Sequence, residues 1–214
     1  MRLRIPPGRS GRLWLRSRLQ AATKAAELLD HKRRELETEL THVRGIAGRR
    51  EEAWRGAAEE AKGWLGRVDL TGGDRSLPLV ATLSSGEARV RVEWRHVMGV
   101  HYPVDHHTSF PSPARVAMLE GGAALVGAQA AYRKAVDAAV AHAVAWTAVS
   151  RIRADIDRTI RRLRALELRA IPAHESALAA LELALDEKDR EEAVAARWAV
   201  QQSRPSTRTR EGDS

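Results

Sequence analysis

From Leu15 the apolar residues recur in alternating steps of four and three, through Leu19, Ala22, Ala26, Leu29, Leu36, Leu40, Val43, Ala47, Trp54, Ala57, Ala61 and Trp64. Only Arg33 and Arg50 interrupt the register. A straight helix drifts off such a seam by ~20° per heptad, so a repeat of ~3.5 residues kept over so many turns specifies a left-handed coiled coil. A second stripe follows after Val116, with Val136, Val140, Ala143, Trp146, Val149, Ile152, Ile156, Leu163, Leu166, Leu178, Leu181 and Leu185. Pro172 lies inside it and, lacking an N–H, should kink the helix or mark a register change.

Between the stripes the pattern changes. The run Ala88-Arg89-Val90-Arg91-Val92-Glu93-Trp94 alternates, which reads as a strand carrying Val90, Val92 and Trp94 on one face. A turn at Met98-Gly99 and a second strand from near Val100 complete a hairpin. Two long helices flanking one short reversal must pair antiparallel. The expected fold class is therefore all-α, a long antiparallel two-helix left-handed coiled coil with a small β-hairpin head in the middle of the chain. The expected boundaries are an N-terminal extension over 1–12, helix one over 13–65, the head over 66–116, helix two over 117–202 with a kink near Pro172, and a disordered tail over 203–214. At 1.5 Å per residue the helices are ~80 and ~125 Å long. Matching the Gly/Ala-rich halves, 45–66 against 117–139, sets Leu15 opposite Leu166 and leaves the helix beyond Pro172 overhanging.

Composition narrows the function. Hydrophobic residues make up 43% of the chain, yet it has one Phe and two Tyr, which suits thin helix seams better than a thick core. The net charge of +8 comes from 36 basic and 28 acidic residues. Such interleaving marks solvated helix faces laced with ion pairs more than a nucleic-acid track. Without cysteine there is no disulfide, thiolate metal site or Cys nucleophile. The N-terminal MRLRIPPGRSGR lacks the apolar core of a secretory signal, and the most apolar stretch, Ala135–Val149, is too short and too polar to cross a bilayer.

Candidate chemical sites are few. His101, Asp105, His106 and His107 lie within seven residues, but zinc needs converging ligands, and adjacent histidines on a Pro-rich loop point apart. No metal site is expected. Gly72-Gly73-Asp74-Arg75 lacks the Lys-Ser/Thr and following helix of a phosphate loop, so neither ATP nor another cofactor is expected to bind, and no catalytic residue is assigned. On the seam, Arg33 and Arg50 either snorkel to water or each meet an acid of helix two and fix the register. The glycines Gly45, Gly48, Gly56, Gly63 and Gly66, with Gly121, Gly122 and Gly127, allow close helix approach or leave room for a partner.

Three stretches resemble the D subunit of the V-type and archaeal A-type rotary ATPases. They are Glu27-Leu28-Leu29-Asp30-His31-Lys32-Arg33-Arg34-Glu35-Leu36 in helix one, His96-Val97-Met98-Gly99-Val100-His101-Tyr102-Pro103 in the head, and the order Ala165-Leu166-Glu167, Ile171-Pro172, Leu185 to Glu192 in helix two. Arg164 stands where that family usually has Asn, Ala25-Ala26 where it has Gly-His, and His96 where it has Asn. The resemblance implies a non-catalytic central-stalk rotor that transmits torque between ATP hydrolysis or synthesis in a hexamer of A and B subunits and ion translocation in a membrane ring. It implies the F subunit and a funnel-shaped subunit as partners, no nucleic acid, no direct membrane insertion, and a cytoplasmic location peripheral to the membrane through the complex. The competing readings are a structural coiled-coil scaffold and a nucleic-acid-binding coiled coil. The residues expected to carry the shaft are Leu15, Leu19, Leu29, Leu36, Leu40, Val43, Trp54, Trp146, Ile152, Ile156, Leu163 and Leu166 in the seam. Those of the hairpin are Val92, Trp94, Val97, Met98, Gly99, Val100 and Pro103, set outside the hexamer and serving coupling rather than shaft folding.

Overall fold

The structure, a computed structural model, describes residues 4–71, 77, 86–112 and 122–202. The expected Gly72-Gly73 segment, the start of helix two and the tail over 203–214 lie outside them. It is mostly helical: α1 spans Gly8–Leu70, β1 Arg89–Val97, β2 Val100–Ser109, α2 Gly122–Ala165 and α3 Ile171–Gln202. The five residues Leu166–Ala170 between α2 and α3 form a π-helical turn. Pro172 accounts for it. The proline has no N–H for the ladder and its ring crowds the carbonyl four residues back, so the backbone widens ahead of it, and the Ile171 N–H donates to the Leu166 carbonyl five residues back.

The chain divides into a central unit, Asp30–Ile160, and a terminal unit made of Met1–Leu29 with Arg161–Ser214. In the central unit α1 and α2 run antiparallel, with Lys134 paired to Glu60 and Lys32 to Asp155, each at 2.7 Å. Its largest core joins three elements: Leu36, Leu40, Val43 and Ala47 of α1, Ala145, Ala148, Val149, Ile152 and Ile156 of α2, and Val100 and Tyr102 of β2. Toward the far end of α1 the seam thins to alanine, Ala57 and Ala61 against Ala131 and Ala135. There Gly127 decides the packing, because a Cβ at this position would stand 2.4 Å from the Trp64 ring. Of the two readings for the glycines, close approach holds at Gly127, whereas a Cβ at Gly48, Gly56, Gly63 or Gly66 would meet nothing.

The hairpin turns on Met98 and Gly99, with φ of 48° and 81°. Both values lie in the left-handed region, the geometry of a two-residue type I′ turn, which suits the twist of the strands. Val97 pairs with Val100 beside the turn, and a bulge between Glu93 and Trp94 shifts the register. The extra residue is Val104 of β2, and Val92 and Trp94, two apart on β1, end in different surroundings. Val92 pairs with half-buried His106, whereas Trp94 pairs with Pro103 and stacks on exposed His101 at 4.9 Å.

In the terminal unit the register differs from the one expected. Arg16 bonds Glu182 at 2.6 Å and Arg9 approaches Asp189 at 3.6 Å, so Leu15 does not face Leu166 and the helix beyond Pro172 is paired. Leu178, Leu181 and Leu185 are accordingly half-buried, while every residue from Asp186 to Gln201 is exposed.

Candidate functional site

The functional material of this chain is a coil and the hairpin lying on it. Leu15, Leu36 and Ile152 have no exposed surface, and Leu40, Val43, Ile156 and Leu163 are also buried. Leu19, Leu29 and Leu166 are half-buried. Trp54 and Trp146 leave the expected seam: they are 37% and 59% exposed and stack on the two sides of His142. Alanines take the buried places beside them, because two indoles would hold the helix axes too far apart for Ala145 and Ala148 to touch α1.

The hairpin is not a cap at the end of the coil. Alternate residues of β2, Val100, Tyr102, Val104 and His106, are buried or half-buried, and Val100 and Tyr102 complete the main core. The expectation that the hairpin stands apart from shaft folding is therefore corrected on packing grounds. Tyr102 has no exposed surface and donates its hydroxyl to Glu39 of α1 at 2.5 Å. Burial, and then the Glu39 bond and charge, push the phenol up to about 12, with Arg95 acting in the other direction.

Charged side chains stitch β2 to both helices. Arg50 of α1 donates to the carbonyls of Ala141 and Val104 and to the Asp105 carboxylate. Arg33 instead bonds Asp30 and Glu37 of its own helix. Neither meets an acid of α2, so the register-fixing reading fails in that form; Arg50 ties three elements together through carbonyls. Arg151 of α2 lies over the Trp94 ring at 4.9 Å and donates to the His101 carbonyl. His106 meets Asp137 of α2 at 3.1 Å. Burial works against the charge of Asp155, but its bonds to Lys32 and Arg158 outweigh that and hold its carboxyl below the usual range.

Of the four suspected metal ligands, Asp105 and His106 lie 3.7 Å apart and reach on to Arg50 and Asp137, while His101 stacks on Trp94 and His107 is exposed. Among the described residues no three His, Cys, Asp or Glu side chains converge as a metal site would require. Nor is any described helix long and apolar enough to cross a membrane.

A family model for the D subunit of ATP synthase matches residues 13–201. The chain belongs to the ATP synthase D-subunit family. Among its relatives, the V-type ATP synthase D subunit of Anaeromyxobacter sp. (strain Fw109-5) is 33% identical over 89% of this chain and 90% of its own length. The A-type ATP synthase D subunit of Methanopyrus kandleri is 31% identical over 89% and 83%. The V-type proton ATPase D subunit of Caenorhabditis elegans is 28% identical over 89% and 75%. As a D subunit, the chain is a component of a V/A-type ATPase complex. Sequence reasoning missed three features of it: the Tyr102–Glu39 bond, the Arg151–Trp94–His101 clasp and the π-helical turn. Only the buried alternation of β2, Val100, Tyr102 and Val104, carried a readable signal for the first.

Proposed function

We propose that this D subunit is the central-stalk rotor of its complex. It carries torque between ATP hydrolysis or synthesis in a surrounding hexamer of A and B subunits and ion translocation in a membrane ring. The F subunit and a funnel-shaped subunit complete the connection, and the shaft itself is non-catalytic. Its place is peripheral, on the cytoplasmic side of the membrane, through the complex.

The observation that carries this reading is the cross-bracing of the central unit. A bare two-helix coil resists axial sliding only through its seam, whereas here Arg50 and Arg151 bond the hairpin to each helix, and Lys134–Glu60 and Lys32–Asp155 join the helices directly. Bracing of this kind suits a part that is twisted under load.

Single cysteines test the proposal cleanly, because the chain has none of its own. Glu175, Glu187 and Arg197 are exposed positions of α3 for such substitutions in the purified complex. Oxidation that joins one of them in a disulfide to a cysteine introduced in a facing subunit of the hexamer should stop ATP turnover, and reduction should restore it. Undiminished turnover with the linkage intact would reject a rotor.

A further inference from the structure

The π-helical turn does more than accommodate Pro172. Arg161, Arg164, Ala165, Leu168 and Arg169 line a recess of about 280 Å³ beside it. Leu168 is 73% exposed there, the most exposed large apolar residue among the described residues after Leu70. Arg161, Arg164 and Arg169, with adjacent Arg162, are exposed, and none has an ion pair or hydrogen bond among the described residues. Elsewhere on the long helices Arg16 pairs with Glu182, Arg33 with Asp30 and Glu37, Arg50 with Asp105 and Arg158 with Asp155, whereas Arg44, Arg49, Arg153, Arg190 and Arg197 are, like these, without a partner among the described residues; what sets this stretch apart is the crowding of four such arginines about one recess. Within the stretch itself Glu167 is the sole acid against these four arginines.

We infer that this notch is a docking surface for an acidic protein segment, carried by another member of the complex, that also offers an apolar residue to Leu168. Guanidinium groups three residues apart on one helix face take carboxylates in paired hydrogen bonds, arginine is among the residue types enriched at interface hot spots, and the exposed leucine adds apolar surface for a partner to cover. A nucleic acid fits less well, since it needs a continuous basic track and aromatic platforms for its bases, and the recess has no aromatic lining. The inference rests on the shaft reading, in which other proteins of the complex surround this helix.

The test is zero-length cross-linking in the intact complex. Arg164→Lys places an amine in the notch, and a carbodiimide joins it to a carboxylate in contact with it as an amide; wild-type arginine does not react. Peptide mass spectrometry should find residue 164 joined to an Asp or Glu of another protein of the complex, with the yield at least several-fold lower in Arg164→Lys/Leu168→Ser. Arg161→Lys should reach the same segment. Cross-links confined to this chain's own acids, or none in a complex that is intact and turns over ATP, would overturn the inference and leave the rotor standing. Oligonucleotide binding lost in an Arg161→Ala/Arg164→Ala/Arg169→Ala variant would also overturn it. Absence of the chain from the purified complex would count against the rotor reading instead.

Discussion

The central and terminal units use the same heptad pattern to different effect. In the central unit, where β2 lies on the two helices, Leu36, Tyr102 and Ile152 lose all exposed surface. In the terminal unit only helices are present among the described residues, and of its long apolar residues only Leu15 and Leu163 are buried, while Leu178, Leu181 and Leu185 remain half-open. Two helices touch along a line, so most large seam residues keep an open flank; a third element closes that flank and turns a seam into a core. The hairpin is the difference between the units. On this account the central unit holds most of the chain's stability, and the terminal unit leaves more apolar surface open.

The largest contrast should come from charge. Leu36→Asp buries a carboxylate and should cost more than ~4 kcal/mol in urea unfolding, whereas Leu181→Asp, which keeps contact with water, should cost ~1 kcal/mol. Equal costs would erase the distinction between core and seam. Tyr102→Ala comes next at ~3–5 kcal/mol, since it empties the place where the strand meets both helices. A loss below ~1 kcal/mol would return the hairpin to the status of a free appendage.

The same tyrosine gives a sharper readout in alkali. Its folded-state value lies above its ordinary one, so the stabilisation is complete below pH 10 and disappears as the pH rises toward 12. In a Tyr132→Phe background the remaining phenolate absorbance should therefore appear late, together with loss of the central unit's stability. Titration at the ordinary pH with no change in stability would place Tyr102 outside the core. Gly99→Ala is smaller again, ~1 kcal/mol, from a side chain forced to a φ of 81°. The last test reads the terminal register. Arg16→Cys with Glu182→Cys should be bridged by a short bismaleimide, and Arg16→Cys with Glu167→Cys, both exposed positions, should not. The reverse pattern would restore the overhang.

The sequence by itself determined the coiled coil, the Met98-Gly99 reversal and the resemblance to rotary-ATPase D subunits, because each is written in local spacing: heptads, alternation and a turn pair. Most seam residues were legible for that reason, including Leu15, Leu36, Leu40 and Ile152. What the tertiary structure decided is how those stripes are matched. A heptad pattern changes little when one stripe slides along the other, so matching by composition erred by about 10 residues at Glu60–Lys134 and about 17 at Arg16–Glu182. Only contacts far apart in sequence remove that degeneracy. Likewise, Trp54 and Trp146 fell on the periodic stripe but lost their places to alanine, since the distance between the axes is set by every layer together and no single position reports it. The hairpin's seat on the side of the coil is of the same kind: alternation showed that β2 has an apolar face, and only the folded chain shows that this face closes the flank of α1 and α2.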